Sequence, residues 1–169
     1  MSDVSQPSVT IERTFSAPRP LVWDAMTQSE HLGRWFAAPC MQPGPNSMDF
    51  REGGIFHFSM LGDDNFKIWG RWLFREIRKH SFFTHHHSSS DEGGGVIHHP
   101  MAPEWPLEFM TRTEFEECDE GTRVRLSWTA MGSDASALKL FEEGIPSMEQ
   151  GWSGTFDYLA TYLGGLRNV

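Results

Sequence analysis

From Leu107 onward, hydrophobic and polar positions alternate. Leu107, Phe109, Thr111, Thr113 and Phe115 fall on one side of an extended chain, and Glu108, Met110, Arg112, Glu114 and Glu116 on the other. A period of two predicts a strand with one covered face. Asp119-Glu120-Gly121 supplies a turn, and Val124, Leu126 and Trp128 carry the apolar face into a returning strand. The same alternation predicts a strand over 9–16, in which Val9, Ile11 and Phe15 share a face with one polar intruder, Arg13. "SMDFRE", Gly53-Gly54 and "IFHFSML" predict a hairpin with Phe56, Phe58 and Met60 side by side. After a turn at 62–65 comes a long strand over 66–77, with Trp69 and Trp72 on opposite faces, and then the strand "SFFTHHHS". A Gly- and Pro-rich connection over 89–106 separates it from the Leu107 strand.

Two segments have a helical period instead. Ile145, Met148, Trp152, Phe156, Leu159, Leu163 and Leu166 advance by threes and fours, giving the apolar stripe of a long amphipathic helix. Gly144 and Pro146 are expected to break or kink a shorter piece over 134–143. "SAPRPLVWDAMTQSEHLGRWF" predicts two short helices, the first capped by Ser16 with Pro18 in its opening turn. The second starts at Ser29 and presents Leu32, Trp35 and Phe36 on one side, and "APCMQPGPNS" ends it. The sum is one α+β domain over 9–169, with residues 1–8 expected to be poorly ordered. About six to seven antiparallel strands form a curved sheet, which the C-terminal helix must cover.

Composition and charge narrow the function. A chain of 169 residues buries roughly 70% of the surface its unfolded form exposes. Its 13 Phe and 7 Trp against 2 Tyr supply bulk that can fill a core or line an apolar pocket. A net charge of −9 weighs against nucleic acid and against anionic membrane surfaces as partners. Cys40 and Cys118 lie far apart without a C-x-x-C pair, and neither a secretory signal nor an apolar span is visible. A reduced, cytoplasmic protein is expected.

"ERTFSAPRPLVWDAMTQSEHLGRWF", "DFREGGIFHFSM", Gly70 and "EQGWSGTFDYLATYL" together resemble the START-like (SRPBCC) helix-grip superfamily. Within it, they are similar to the branch related to the C-terminal domain of the heat-shock-protein-90 ATPase activator. Ser90-Asp91-Glu92-Gly93-Gly94, His99-Pro100 and Trp105-Pro106 match a loop pattern of that branch, so the histidine-rich run is natural chain, not a tag. The resemblance implies a cavity between sheet and C-terminal helix, and a homodimer as one assembly. It also implies two alternative functions: a cyclase- or hydrolase-like enzyme, and a chaperone-binding module. In the eukaryotic activator this domain follows a separate N-terminal domain, whereas about eight residues precede the first strand here, which weighs against a co-chaperone role.

Five of the eight histidines fall between His85 and His99. His85 and His87 share one side of a strand, but no H-E-x-x-H or equivalent spacing supplies the remaining ligands of a zinc site. No metal and no cofactor are expected. As catalytic groups, His85 or His87 would act as general base with Asp91 or Glu92 orienting it, yet no G-x-S-x-G nucleophile accompanies them. The reading leans away from an enzyme. It favours a binding protein for a hydrophobic or aromatic small molecule. Side-chain parity places Arg13, Phe56, Phe58, Met60, Phe83, His85, His87, Phe109, Thr111 and Trp128 on the sheet side of the site. Trp152, Phe156 and Leu159 come from the helix, Trp35 and Phe36 from one end, and Met101 and Trp105 from the long connection.

Overall fold

The computed structural model describes residues 6–167, the Arg167 side chain excepted. The chain order is β1 (Ser8–Phe15), α1 (Arg19–Thr27), α2 (Ser29–Trp35), β2 (Gln42–Met48), β3 (Ile55–Leu61), β4 (Lys67–Arg78), β5 (Phe82–Ser90), β6 (Val96–Ile97), β7 (Glu108–Cys118), β8 (Gly121–Ala130) and α3 (Ala135–Arg167). All strand pairs are antiparallel, in the spatial order β1-β8-β7-β5-β4-β3-β2, with β6 attached to β5. The sheet thus gains a small eighth strand inside the predicted connection. Of the segment expected to be poorly ordered, residues 1–5 lie outside the described residues, while Ser8 opens β1 and the Pro7 carbonyl accepts the Ala130 N–H at 3.1 Å.

The predicted apolar parity holds along the central strands. Phe109, Thr111, Thr113 and Phe115 of β7 are all buried, as are Val124, Leu126 and Trp128 of β8. The opposite face is solvated and laced with ion pairs, among them Arg125–Glu12 at 3.0 Å and Arg123–Glu116 at 3.5 Å. Exposed pairs of this kind add little stability. They mark which face meets water.

Helix α3 covers the concave face. Phe156, Leu159 and Leu163 are buried in the core, with the Phe156 ring edge-on to Phe15 at 5.6 Å. Arg13 fastens the same contact: its guanidinium donates to Asp157 Oδ1 at 2.9 Å and to the Ser153 carbonyl at 3.1 Å. The polar intruder of β1 is therefore a clamp between strand and helix.

Three local expectations are corrected. The second strand forms within the Pro/Gly stretch, at Gln42–Met48, and Asp49–Gly54 is the turn. This strand lies at the sheet edge, where Pro43 and Pro45 need not donate to a second neighbour, and its register shifts between Pro43 and Asn46. Helix α3 runs unbroken through Pro146. Pro146 and Glu142, whose carbonyl would otherwise take the missing N–H, are both exposed, so that carbonyl can be solvated. Phe141, fully buried, anchors the helix ahead of the proline. Finally, Pro18 rather than Ser16 occupies the cap position of α1.

Among the described residues, no helix is long and apolar enough to cross a membrane.

Candidate functional site

At one end of the concave face the sheet and helix do not close on each other. A cavity of about 520 Å³ lies between them, and the connection after β6 forms its third wall. Phe58 and Met60 of β3, Gly70 of β4, His87 of β5, Phe109 of β7 and Trp128 of β8 supply the sheet wall. Gly70 is required there because a Cβ would stand 2.5 Å from Phe58 Cζ and push the ring aside. From α3 come Ser147, Met148, Gly151, Trp152 and Thr155; Phe36, Ala38 and Pro39 close the side next to α2. Gly151 borders open space, since a Cβ at this position would meet nothing within 4 Å.

The covering connection is tied down at two places. At its start, Asp91 Oδ1 accepts the Gly95 N–H at 2.8 Å, the Asp91 carbonyl bonds His57 Nε2 at 3.0 Å, and Arg71 donates to the Gly94 carbonyl at 3.0 Å. Further along, Trp105 lies edge-on to Phe141 at 5.6 Å and rests on Gly144, where a Cβ would come within 2.8 Å of the indole. His99, Pro100, Trp105 and Leu107 from this segment border the cavity. Asp91 Oδ1 is thus held by its own turn.

Electrostatically the cavity is neutral: among the described residues, no Lys, Arg, Asp or Glu lines it. His87 Nδ1 accepts the Trp72 Nε1–H at 3.1 Å, which leaves the ring proton on Nε2. Burial, with His99 adding repulsion, lowers the His87 pKa to about 3. His87 is half-buried and borders the cavity. His99 follows the same logic: Nδ1 accepts the Met101 N–H at 3.1 Å, and burial lowers its pKa. At neutral pH both rings are uncharged, and each offers an Nε2–H donor. A general base near pH 7 needs a pKa near 7, so the His87 ring is suited to donating a hydrogen bond and not to abstracting a proton.

The sequence-derived site residues separate into three groups. Phe36, Phe58, Met60, His87, Trp105, Phe109, Trp128 and Trp152 border the cavity. Trp35, His85 and Thr111 lie deeper, around a small void of about 10 Å³ that also touches Phe36, Trp128 and Trp152. The rest do not reach either space: Phe56, Phe83, Phe156 and Leu159 are packed in the core, Arg13 holds α3, and Met101 is 71% exposed on the outside of the connection. Alternation along a strand identifies the inward face but not the point at which packing gives way to space. Among the site residues that sequence reasoning missed are His99, Met148, Gly151 and Thr155. Met148 was visible in the helical stripe, and Gly151 and Thr155 sit on the same helix face as Trp152. Small residues carry no hydrophobic signal, although they are what leaves the room.

His85 is fully buried, stacked on Trp72 at 4.3 Å and 17°, and its pKa lies well below the ordinary value, chiefly through burial and then through His87 and His86. Among the described residues, no group of three or more His, Cys, Asp and Glu side chains converges as metal ligands.

A curved antiparallel sheet gripping a long C-terminal helix, with an apolar cavity under a strapped-down connection, defines a helix-grip protein of the START-like class. Residues 16–164 match the family described as Activator of Hsp90 ATPase homolog 1-like protein, and the chain belongs to that family. The same fold occurs in a Nitrosomonas europaea protein, 21% identical over 99% of each chain with a TM-score of 0.75. A Mycobacterium smegmatis protein is 22% identical over 95% of this chain and 93% of its own, with a TM-score of 0.74. A Staphylococcus aureus protein of unknown function is 16% identical over 98% of each chain, with a TM-score of 0.73. At such identities the likeness concerns the fold alone. No curated protein matches the chain.

Proposed function

We propose that the chain is a cytoplasmic small-molecule binding protein that encloses an uncharged, largely apolar or aromatic ligand between its sheet and α3. The observation that supports this reading is the cavity itself. Its volume of about 520 Å³ falls within the range of ligand sites, its walls are mostly aromatic and aliphatic, and its few polar groups are neutral. Apolar burial would supply the affinity, and the Nε2–H groups of His87 and His99 would orient a polar atom.

Native mass spectrometry of untagged protein, purified without a metal column, tests for a retained molecule of a few hundred daltons that is lost on denaturation. Binding is then measured with the uncharged fluorophore N-phenyl-1-naphthylamine. Trp152→Ala removes the ring that faces Phe36 at 6.2 Å and Trp128 at 6.1 Å, and should weaken that binding by about tenfold or more. Phe156, Leu159 and Leu163 keep α3 in place in this variant. A folded Trp152→Ala protein with undiminished affinity would take the helix out of the site.

Family membership favours a second reading, a chaperone-binding module, because the family description names an activator of the Hsp90 ATPase. Its test is direct association with purified chaperone. No complex at micromolar concentration ends that reading.

A further inference from the structure

Two walls of the large cavity carry polar groups with opposite hydrogen-bonding senses. On the sheet wall, His87 Nδ1 takes the Trp72 Nε1–H at 3.1 Å, so the other ring nitrogen holds the proton. The ring lies among wall residues, 4.4 Å from Trp128 and 6.3 Å from both Phe58 and Phe109. Its Nε2–H has no acceptor among the described residues. On the helix wall stands Thr155, 6% exposed. Its hydroxyl is 3.0 Å from the Ala37 carbonyl and 3.1 Å from the Gly151 carbonyl. One or other carbonyl takes its single proton, so toward the cavity Oγ1 can only accept.

The remaining polar side chains leave this contrast in place. His99 adds a second donor on the connection, and the hydroxyls of Ser89 and Ser147 can turn to either role. A pure hydrocarbon would leave the His87 N–H unmet, and an unmet buried donor is costly. A ligand carrying acceptors alone would satisfy His87 but bring nothing to the Thr155 oxygen. We propose that the ligand of this cavity is an uncharged molecule polar at both ends. A hydroxyl at one end donates to Thr155 Oγ1, a neutral acceptor oxygen such as a carbonyl at the other takes the His87 Nε2–H, and an apolar ring system lies between. This assignment rests on the ligand-binding reading above and adds to it the chemical class of the ligand.

Four naphthalenes test it by titration calorimetry at neutral pH. They are 6-acetyl-2-naphthol with both groups, 6-acetyl-2-methoxynaphthalene with the hydroxyl blocked, 6-isopropyl-2-naphthol without the carbonyl, and 2-isopropyl-6-methoxynaphthalene with neither. Each replacement makes the molecule more apolar, so transfer out of water alone favours the replaced compounds. The proposal expects the reverse: 6-acetyl-2-naphthol binds tightest, and either replacement weakens binding by roughly tenfold. In Thr155→Val, which keeps the branched shape without the oxygen, the advantage of the hydroxyl should vanish while that of the carbonyl remains. Thr155→Ser should keep both. If the Val variant does not fold, the four affinities in the parent protein and in Thr155→Ser decide the matter. An advantage for one group without the other overturns the two-ended assignment, as does a hydroxyl preference that survives in folded Thr155→Val. Equal affinities, or an order that follows apolarity, overturn the proposal while the ligand-binding reading stands. The same holds if none of the four binds where N-phenyl-1-naphthylamine does. If the fluorophore fails to bind as well, the cavity reading falls and the assignment with it.

Discussion

The two halves of α3 cross the same concave sheet and end in opposite surroundings. Toward its C-terminus, Phe156, Leu159 and Leu163 meet a solid aromatic core. Trp23 of α1 lies there 5.0 Å from Phe115 and 5.8 Å from Phe83, and Phe50 is 5.0 Å from Phe74. Toward its N-terminus, beyond the anchor at Phe141, Gly144 lies under Trp105, Ser147, Met148 and Gly151 line the cavity, and the sheet residues opposite border open space. Both ends are lined by Phe and Trp. What separates a core from a cavity is the size of the helix residues facing the sheet and the identity of the third wall, a helix at one end and a strapped loop at the other.

The sharpest way to test that contrast is to damage the solid end. Phe156→Ala removes a fully buried ring and should cost about 3–5 kcal/mol of unfolding free energy in a urea titration. A loss below about 1 kcal/mol would mean that this end is as loosely filled as the other.

Between the two ends lie His85 and His87, both neutral when folded. Their folded pKa values are depressed below the unfolded value, so the unfolded chain binds protons first as pH falls. Their contribution to stability is therefore fully present above about pH 6.5 and is lost as pH drops toward about 3, the folded value of His87. Between pH 6.5 and 5, before most carboxylates titrate, stability should fall by up to about 1.4 kcal/mol per pH unit for each histidine that stays neutral. His85→Phe, which preserves the flat stack on Trp72, should reduce the slope by the share of one histidine. An unchanged slope would show that His85 is not held neutral by its surroundings.

At the open end the expected effects on stability are smallest and of opposite sign. Gly151→Ala should stabilise by about 0.5–1 kcal/mol, because the methyl meets nothing and a helical glycine is replaced. Gly151→Leu carries the same benefit to the helix but places bulk in the cavity, and should abolish binding of N-phenyl-1-naphthylamine while the protein remains folded. A Leu variant that binds as well as the parent would show that the space in front of Gly151 is not the site.

Much of the frame was legible because it follows from periodicity. The alternation of β7 and β8, the three-four stripe of α3 and the turn at Gly121 are local patterns, and each element forms where its pattern lies. The exceptions come from position in the fold. Gln42–Met48 reads as a loop because of Pro43 and Pro45, yet it is a strand because the sheet edge tolerates missing donors. Pro146 reads as a helix break, yet α3 passes through it because Phe141 is anchored on Trp105 and Phe109.

The sequence by itself determined the order of the elements, the face each strand turns inward, the absence of a recognisable metal or nucleophile motif and the negative charge of the surface. These depend on residue type and on spacing between near neighbours. Only the tertiary structure decided that Arg13 is bound to α3, that His85 is buried while His87 borders a cavity, and that Gly151 and Thr155 line that cavity. Space is a property of residues distant in sequence meeting across a gap. No periodicity along the chain records how large that gap is.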